Sequence, residues 1–216
     1  LEPEFVHPQL GDITPVKQPR YGADEFVAET RFANVTKAVH VQAAIGSADP
    51  VDETRWLEAA AERTGIPTAI IADARLSDPD VGATLDAHAA ASSRLRGIRD
   101  FGEGDYMRDP AWRSGYAQLE RYGWVCDLDC FWEKMDAARD LARDFPGIPL
   151  VLDHAGFPQA RDSEYFDHWR GGISTLAEAD NAVCKISGLG MKDPTWTVDS
   201  LRPWVMHCIE AFGVER

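Results

Sequence analysis

The sequence predicts a β/α barrel, and three observations carry that prediction. Strand-like and helix-like segments alternate without interruption, the strands are apolar on both faces, and polar residues gather where the strands end. Apolar strands linked by helices imply a parallel sheet covered by helices, which right-handed crossovers arrange as an open doubly wound sheet or a closed barrel. An open dinucleotide-type sheet carries a glycine-rich phosphate turn. The nearest candidate here, Gly102-x-Gly104, lacks the third glycine, so the barrel is the preferred reading.

The first 21 residues are rich in proline without periodicity and read as an extended loop. A short helix follows from Gly22 or Ala23 to Phe32, with Asp24 near its cap. Residues 35–42 (VTKAVHVQ) are a β-branched run and read as a strand. In residues 53–64, Trp56, Leu57, Ala60 and Ala61 make one apolar helical face, stopped by Gly65. Residues 68–73 (TAIIAD) are the next strand, and a helix capped by Asp78 runs through Ala91. The rhythm repeats with strand 94–99 and helix 110–121, then strand 124–130 and helix 132–145. Strand 148–154 is followed by a helix over 163–179. Strand 182–187 precedes helix 199–212, with Pro203 expected in its first turn. These six strand–helix units form one domain over residues 1–216.

Composition narrows the function. Of 216 residues, 44% are hydrophobic and 27% charged, as in an ordinary globular protein. The formal charge of −14 repels phosphate backbones and anionic lipid, so neither nucleic acid nor a membrane is an expected partner. No stretch approaches the roughly 20 apolar residues that cross a bilayer. The start, Leu1-Glu2-Pro3-Glu4-Phe5, lacks signal-peptide character, so a cytoplasmic protein is expected. Cys126, Cys130, Cys184 and Cys208 form no C-x-x-C pair and read as free thiols in a reducing compartment. Cys126 and Cys130 would suit zinc only with two more ligands nearby.

Barrel enzymes place their chemistry at the C-terminal ends of the strands. Counting strand 35–42 as the second barrel position, His40 and Gln42 end the second and Arg99 the fourth. Asp127 and Asp129 end the fifth, Asp153 and His154 the sixth, Lys185 and Ser187 the seventh. Alternation puts His40 with Gln42, Asp127 with Asp129, and Lys185 with Ser187 on shared faces. A charged pair facing packed helices is costly, so the barrel mouth is the expected destination. Each residue also has a structural reading. Lys185 and Asp127 can neutralise one another, His40 can be a hydrogen-bonded core histidine, Arg96 can form a surface salt bridge, and Asp153 can cap a loop or helix. His154 differs, because an apolar strand delivers it to the mouth, where a neutral imidazole can ligate a metal or transfer protons.

The run Val151-Leu152-Asp153-His154-Ala155-Gly156-Phe157-Pro158 resembles the sixth-strand motif of the amidohydrolase-related barrels. Within them it is similar to the branch of sugar-lactone and dicarboxylate-lactone hydrolases. Residues 37–43 (KAVHVQA), 95–99 (LRGIR) and 184–189 (CKISGL) support the likeness. The resemblance implies a (β/α)8 TIM barrel of which strands two to seven are present here. It also implies a first-strand His-x-His and an eighth-strand aspartate, neither of which this sequence contains. A complete barrel runs to about 250 residues, so this sequence is expected to be part of a longer chain. Two open sheet edges would favour a homo-oligomer.

By resemblance His154 is catalytic, polarising a carbonyl or ligating a divalent, zinc-like metal that some members hold and others lack. A small-molecule lactone is the implied substrate. His40, Gln42, Arg99, Asp127, Asp129, Lys185 and Ser187 are the expected binding residues, with Arg99 on a substrate carboxylate. Decarboxylation of an aromatic acid and binding of a small acid or sugar without turnover are the alternatives.

Overall fold

The computed structural model describes residues 20–43, 45–193 and 195–216, with the backbone of two short segments before them. Most of the expected N-terminal loop lies outside the described residues. The two described segments, β1 (Val6–His7) and β2 (Gly11–Asp12), pair antiparallel instead of remaining irregular.

The remaining strands are β3 (Val39–Val41), β4 (Ala69–Asp73), β5 (Leu95–Arg99), β6 (Val125–Leu128), β7 (Leu150–Leu152) and β8 (Ala182–Cys184). They form one parallel sheet in chain order. The linking helices are α2 (Val51–Thr64), α3 (Val81–Ala91), α4 (Pro110–Ala117), α5 (Met135–Asp144) and α6 (Ser163–Ala177). α1 (Ala23–Thr30) precedes β3 and α7 (Val198–Phe212) follows β8. Among the described residues β3 and β8 do not pair, so the sheet is open. At the β8 edge, the Cys184 amide donates to the Arg216 carbonyl at 2.9 Å.

The period of two separates the faces. Ile70, Ala72, Ile98, Cys126, Leu128, Leu150, Leu152 and Ala182 point to the helices and are buried in the main core. Residues of the opposite parity, Val41, Ile71, Val125 and Val151, line a cavity on the inner side. Gly97 sits on that inner face because a Cβ there would come within 2.5 Å of the Val125 carbonyl oxygen. A register shift pairs Ile70 with Leu95 but Ile71 with Gly97, leaving Arg96 as the extra residue of a β-bulge. Its exposed side chain donates to the Ser93 and Leu95 carbonyls rather than to a carboxylate.

Every expected strand and helix is present, with shorter strands and shifted caps. Glu25 rather than Asp24 caps α1, accepting from the Gly22 amide. Asp78 does not cap α3, because its carboxylate accepts from the Asp80 amide in the turn before the helix. The α4 helix tightens into a 3₁₀ turn at Gln118–Tyr122 and stops at Gly123 in the left-handed region. Thr197 starts α7 early through a capping box with Ser200, which moves Pro203 out of the first turn. All four cysteines are free. No helix among the described residues is long and apolar enough to cross a membrane.

Candidate active site

The site is assembled on the inner face at the C-terminal ends of β5 to β8. Parallel register places Arg99 beside Asp127, and Asp127 beside Val151. Two residues further along β7, alternation returns Asp153 to the same face. Asp127 and Asp153 are each 1% exposed. Lys185 spans them, with an ion pair to Asp127 and its Nζ 2.7 Å from Asp153 Oδ1. Arg99 Nη1 stands 3.5 Å from Asp153 Oδ2, and Nη2 donates to the Gln42 carbonyl at 2.5 Å. The Arg99 guanidinium also covers the Phe101 ring at 4.7 Å. Burial works against the Lys185 charge, and the two aspartates overcome it and hold the ammonium above its usual pKa.

His154 leaves the strand altogether. Its ladder ends at Leu152, and a tight turn over Asp153–Gly156 follows. His154, Ala155 and Phe157 have φ of 51°, 52° and 49°, in the left-handed region that side chains disfavour. Long-range contacts hold this turn. The Ala155 amide donates to the Lys185 carbonyl at 2.9 Å, and buried Trp169 donates from Nε1 to the Ala155 carbonyl at 2.7 Å. Gly188 permits the final approach, since a Cβ there would lie 2.9 Å from His154 Cβ. The imidazole Nδ1 is 2.8 Å from Ser187 Oγ, and the ring meets Phe157 edge-on. Burial lowers its pKa, and Lys185 and Arg99 add to that against the opposing pull of Asp153, so the ring is neutral at pH 7.

Arg99, Asp127, Asp153, His154 and Lys185 line a cavity of about 540 Å³. Ser187 joins them through His154. Asp129 follows β6 by one residue, and its carboxyl lies in the field of Asp153, Arg99, Lys185 and Asp127. His40 corrects the expectation of a shared mouth: Val39 and Val41 take the inner face, and His40 turns toward α2. There its Nε2 lies 2.9 Å from Glu53 Oε1, which also accepts from the Ala43 amide. Gln42 is buried and meets Arg99 through its backbone carbonyl.

Sequence reasoning missed Asp153 as a member of this group by reading it as a cap. Counting in twos from Val151 would have found it. Glu53 carried no comparable signal, because nothing in its helix marks it as a partner for His40.

Among the described residues, the side chains at these strand ends do not by themselves complete a site for a zinc-like ion. Such a site takes at least three protein ligands, and no group of three or more His, Cys, Asp or Glu side chains arranged for a metal occurs among the described residues. His154 is joined to Ser187, while Lys185 and Arg99 already neutralise the neighbouring carboxylates Asp127 and Asp153.

The sequence matches the Amidohydrolase family model over residues 12–216. The chain belongs to the amidohydrolase family. An uncharacterized protein, y4mH, of Sinorhizobium fredii is 38% identical over 96% of this chain and 73% of its own length. An L-fucono-1,5-lactonase of Burkholderia ambifaria is 27% identical over 76% of this chain, which spans 58% of that lactonase's length. Among solved structures, a Burkholderia multivorans amidohydrolase with bound HEPES aligns with TM-score 0.80 at 25% identity, covering 96% of this chain and 76% of that one. A second crystal form of that amidohydrolase, with bound zinc, aligns with TM-score 0.75 at 26% identity, covering 89% and 70%. The open sheet of this amidohydrolase chain is therefore a TIM-barrel sheet, and membership makes it a hydrolase by family.

Proposed function

We propose that this chain hydrolyses a small lactone, and that the lactone is uncharged and rich in hydroxyls. The observation that carries the reading is the inner-face cluster in which Asp127, Lys185, Asp153 and Arg99 interlock beside a neutral His154. The cavity they line, about 540 Å³, falls in the range of small-molecule sites. The lactonase relative supports the reaction class.

In the tautomer in which Ser187 Oγ donates to Nδ1, Nε2 of His154 carries the proton. It hydrogen-bonds the ring carbonyl oxygen and stabilises the negative charge that develops as water attacks. Lys185 adds a positive field held in place by two aspartates. Both cations are already engaged with carboxylates, and Arg99 is further occupied by the Gln42 carbonyl and Phe101. A substrate carboxylate would have to displace those partners, whereas hydroxyls can donate to the aspartate oxygens. This favours a sugar-type lactone over a carboxylated one.

A panel of aldonolactones and carboxylated lactones, followed by acid release, tests the proposal. The expected result is ring opening of uncharged hydroxylated lactones, reduced at least about 100-fold in His154→Ala. Saturable binding of these lactones with no acid released would overturn it.

A further inference from the structure

The segment that brings Ser187 to His154 leaves the sheet before it arrives. β8 ends at Cys184. The Lys185 amide still donates to the Leu152 carbonyl at 3.0 Å, but the Ser187 amide turns back onto the Lys185 carbonyl at 3.0 Å. Two residues further on, the Leu189 carbonyl accepts from Nη2 of Arg161. Arg161 lies in the loop between β7 and α6, one residue before the capping Asp162. Its Nη1 donates to the Pro158 and Ala160 carbonyls of its own loop at 3.2 and 3.0 Å. We propose that Arg161 is a positioning residue for the lactone opening described above, clamping the loops after β7 and β8 together so that Ser187 meets His154. The role in turnover rests on that reading, whereas the clamp itself does not.

A half-buried guanidinium that serves only carbonyls is a costly arrangement. Among the described residues no carboxylate forms an ion pair with Arg161, and its Nε is buried without a partner. Burial pulls its pKa below the usual arginine value, with Asp193 opposing. By contrast, Arg55, Arg63, Arg108 and Arg121 each pair with carboxylates at the surface. Bridging explains the exception, because a planar fork reaches carbonyls on two loops at once in a fixed geometry. The indole of buried Trp204 on α7 lies against the guanidinium, 4.9 Å from the ring centre, and sets its plane. Trp204 packs in turn on Trp169, whose Nε1 holds the Ala155 carbonyl. One aromatic pair therefore supports both sides of His154: its backbone through Trp169, and the Ser187 loop through Arg161.

The clamp acts on the imidazole over a short path. Leu189 is buried, and Gly188 separates it from Ser187. That glycine passes so near the histidine that the loop rests directly on it. On the other loop, the Gln159 amide donates to the Tyr165 hydroxyl at 3.0 Å, and its side chain donates to the Phe157 carbonyl at 2.6 Å. A displacement there is passed to Phe157, whose ring meets His154 edge-on. Ser187 Oγ is 2.8 Å from Nδ1, and a shift of about 1 Å takes it out of hydrogen-bond range. Releasing Leu189 thus frees Ser187 from Nδ1 and removes the contact that selects the Nε2–H tautomer.

The test compares the wild type with Arg161→Lys, Arg161→Met, Ser187→Ala and the double variant of Arg161→Met with Ser187→Ala. Imidazole ¹⁵N NMR at pH 8, without substrate, reads the tautomer and the hydrogen bond at Nδ1 of His154. The wild type should show Nε2–H alone with Nδ1 hydrogen-bonded. Arg161→Met and Ser187→Ala should both show mixed tautomers and a free Nδ1, with Arg161→Lys in between. On an uncharged aldonolactone, Arg161→Met should lower kcat by about 10-fold or more with KM changed less than about threefold. The double variant should be no slower than the slower single variant, because both act through one contact. An Arg161→Met protein that melts earlier but keeps the wild-type Nδ1 resonance would overturn the proposal, and so would losses in kcat that multiply in the double variant. If Arg161→Met failed to fold, Arg161→Lys decides: a wild-type spectrum with lysine would overturn the clamp. A wild-type protein that opens no lactone would sink the reaction and the role in turnover, and the spectra would still decide the clamp.

Discussion

Along β5 to β8 the charged residues at the strand ends turn inward and meet, while on β3 the corresponding histidine turns outward to a helix. In the first region Lys185 and Arg99 have their main partners on other strands, Asp127 and Asp153. In the second, His40 finds Glu53 only 13 residues further along the chain. The difference separates two uses of polarity. A local pair fastens one helix to one strand, whereas a cross-strand network arranges charges around a cavity and depends on the whole sheet.

Substitutions in the two regions should therefore diverge. Lys185→Met should have the largest effect on stability, since it leaves two buried carboxylates without their shared cation. The expected loss is about 3 kcal/mol, near the lower end for a broken buried pair because the Lys185 side chain is 35% exposed. Urea denaturation would read it, and a loss below about 1 kcal/mol would show that the network is loosely held. His154→Ala should lower lactone turnover by at least about 100-fold with little change in melting temperature. Comparable losses in both would instead make His154 a structural residue like His40.

Asp129→Asn should stabilise the protein in a pH-dependent way. Burial raises the folded-state pKa of Asp129 to about 6, above the value of an unfolded aspartate. The folded state then holds this proton over a pH window where the unfolded chain has released it. Wild-type stability from this group falls as pH rises from about 4 to about 6 and stays lowered above that. The substitution should therefore add about 1–2 kcal/mol at pH 8 and nothing at pH 4, by denaturant titration at both. A gain equal at both pH values would break the link to ionisation. The smallest effect belongs to the β3 region, where His40→Ala should cost about 1 kcal/mol and leave turnover within about threefold. A drop in turnover as large as that of His154→Ala would erase the distinction between the regions.

Periodicity was a dependable guide to this fold because it reports burial directly. The strand of residues 148–154 and the helix of residues 132–145 both show apolar spacing that packing then satisfies. The placement of candidate site residues was legible where the same rule applied. Asp127, Lys185 and Arg99 lie on the inner face that alternation assigns them. The rule failed for His40, since which face of a strand is inner depends on its neighbours and not on its own residues. It was left unused for Asp153. The left-handed backbone at His154 had only the following Ala155-Gly156 as a local sign, because Trp169 on α6 and Lys185 on β8 hold that turn in place.

That turn has a consequence for anyone evolving the enzyme. Three side-chain-bearing residues in the left-handed region, each costing on the order of 1–3 kcal/mol, surround the imidazole. Glycine at Ala155 or Phe157 would relax the backbone, so a selection for heat resistance alone would be drawn to these positions. The relaxed turn would also let His154 wander from Ser187. Thermal screening without a turnover screen would thus tend to enrich robust but sluggish variants, with their changes concentrated within three residues of the histidine.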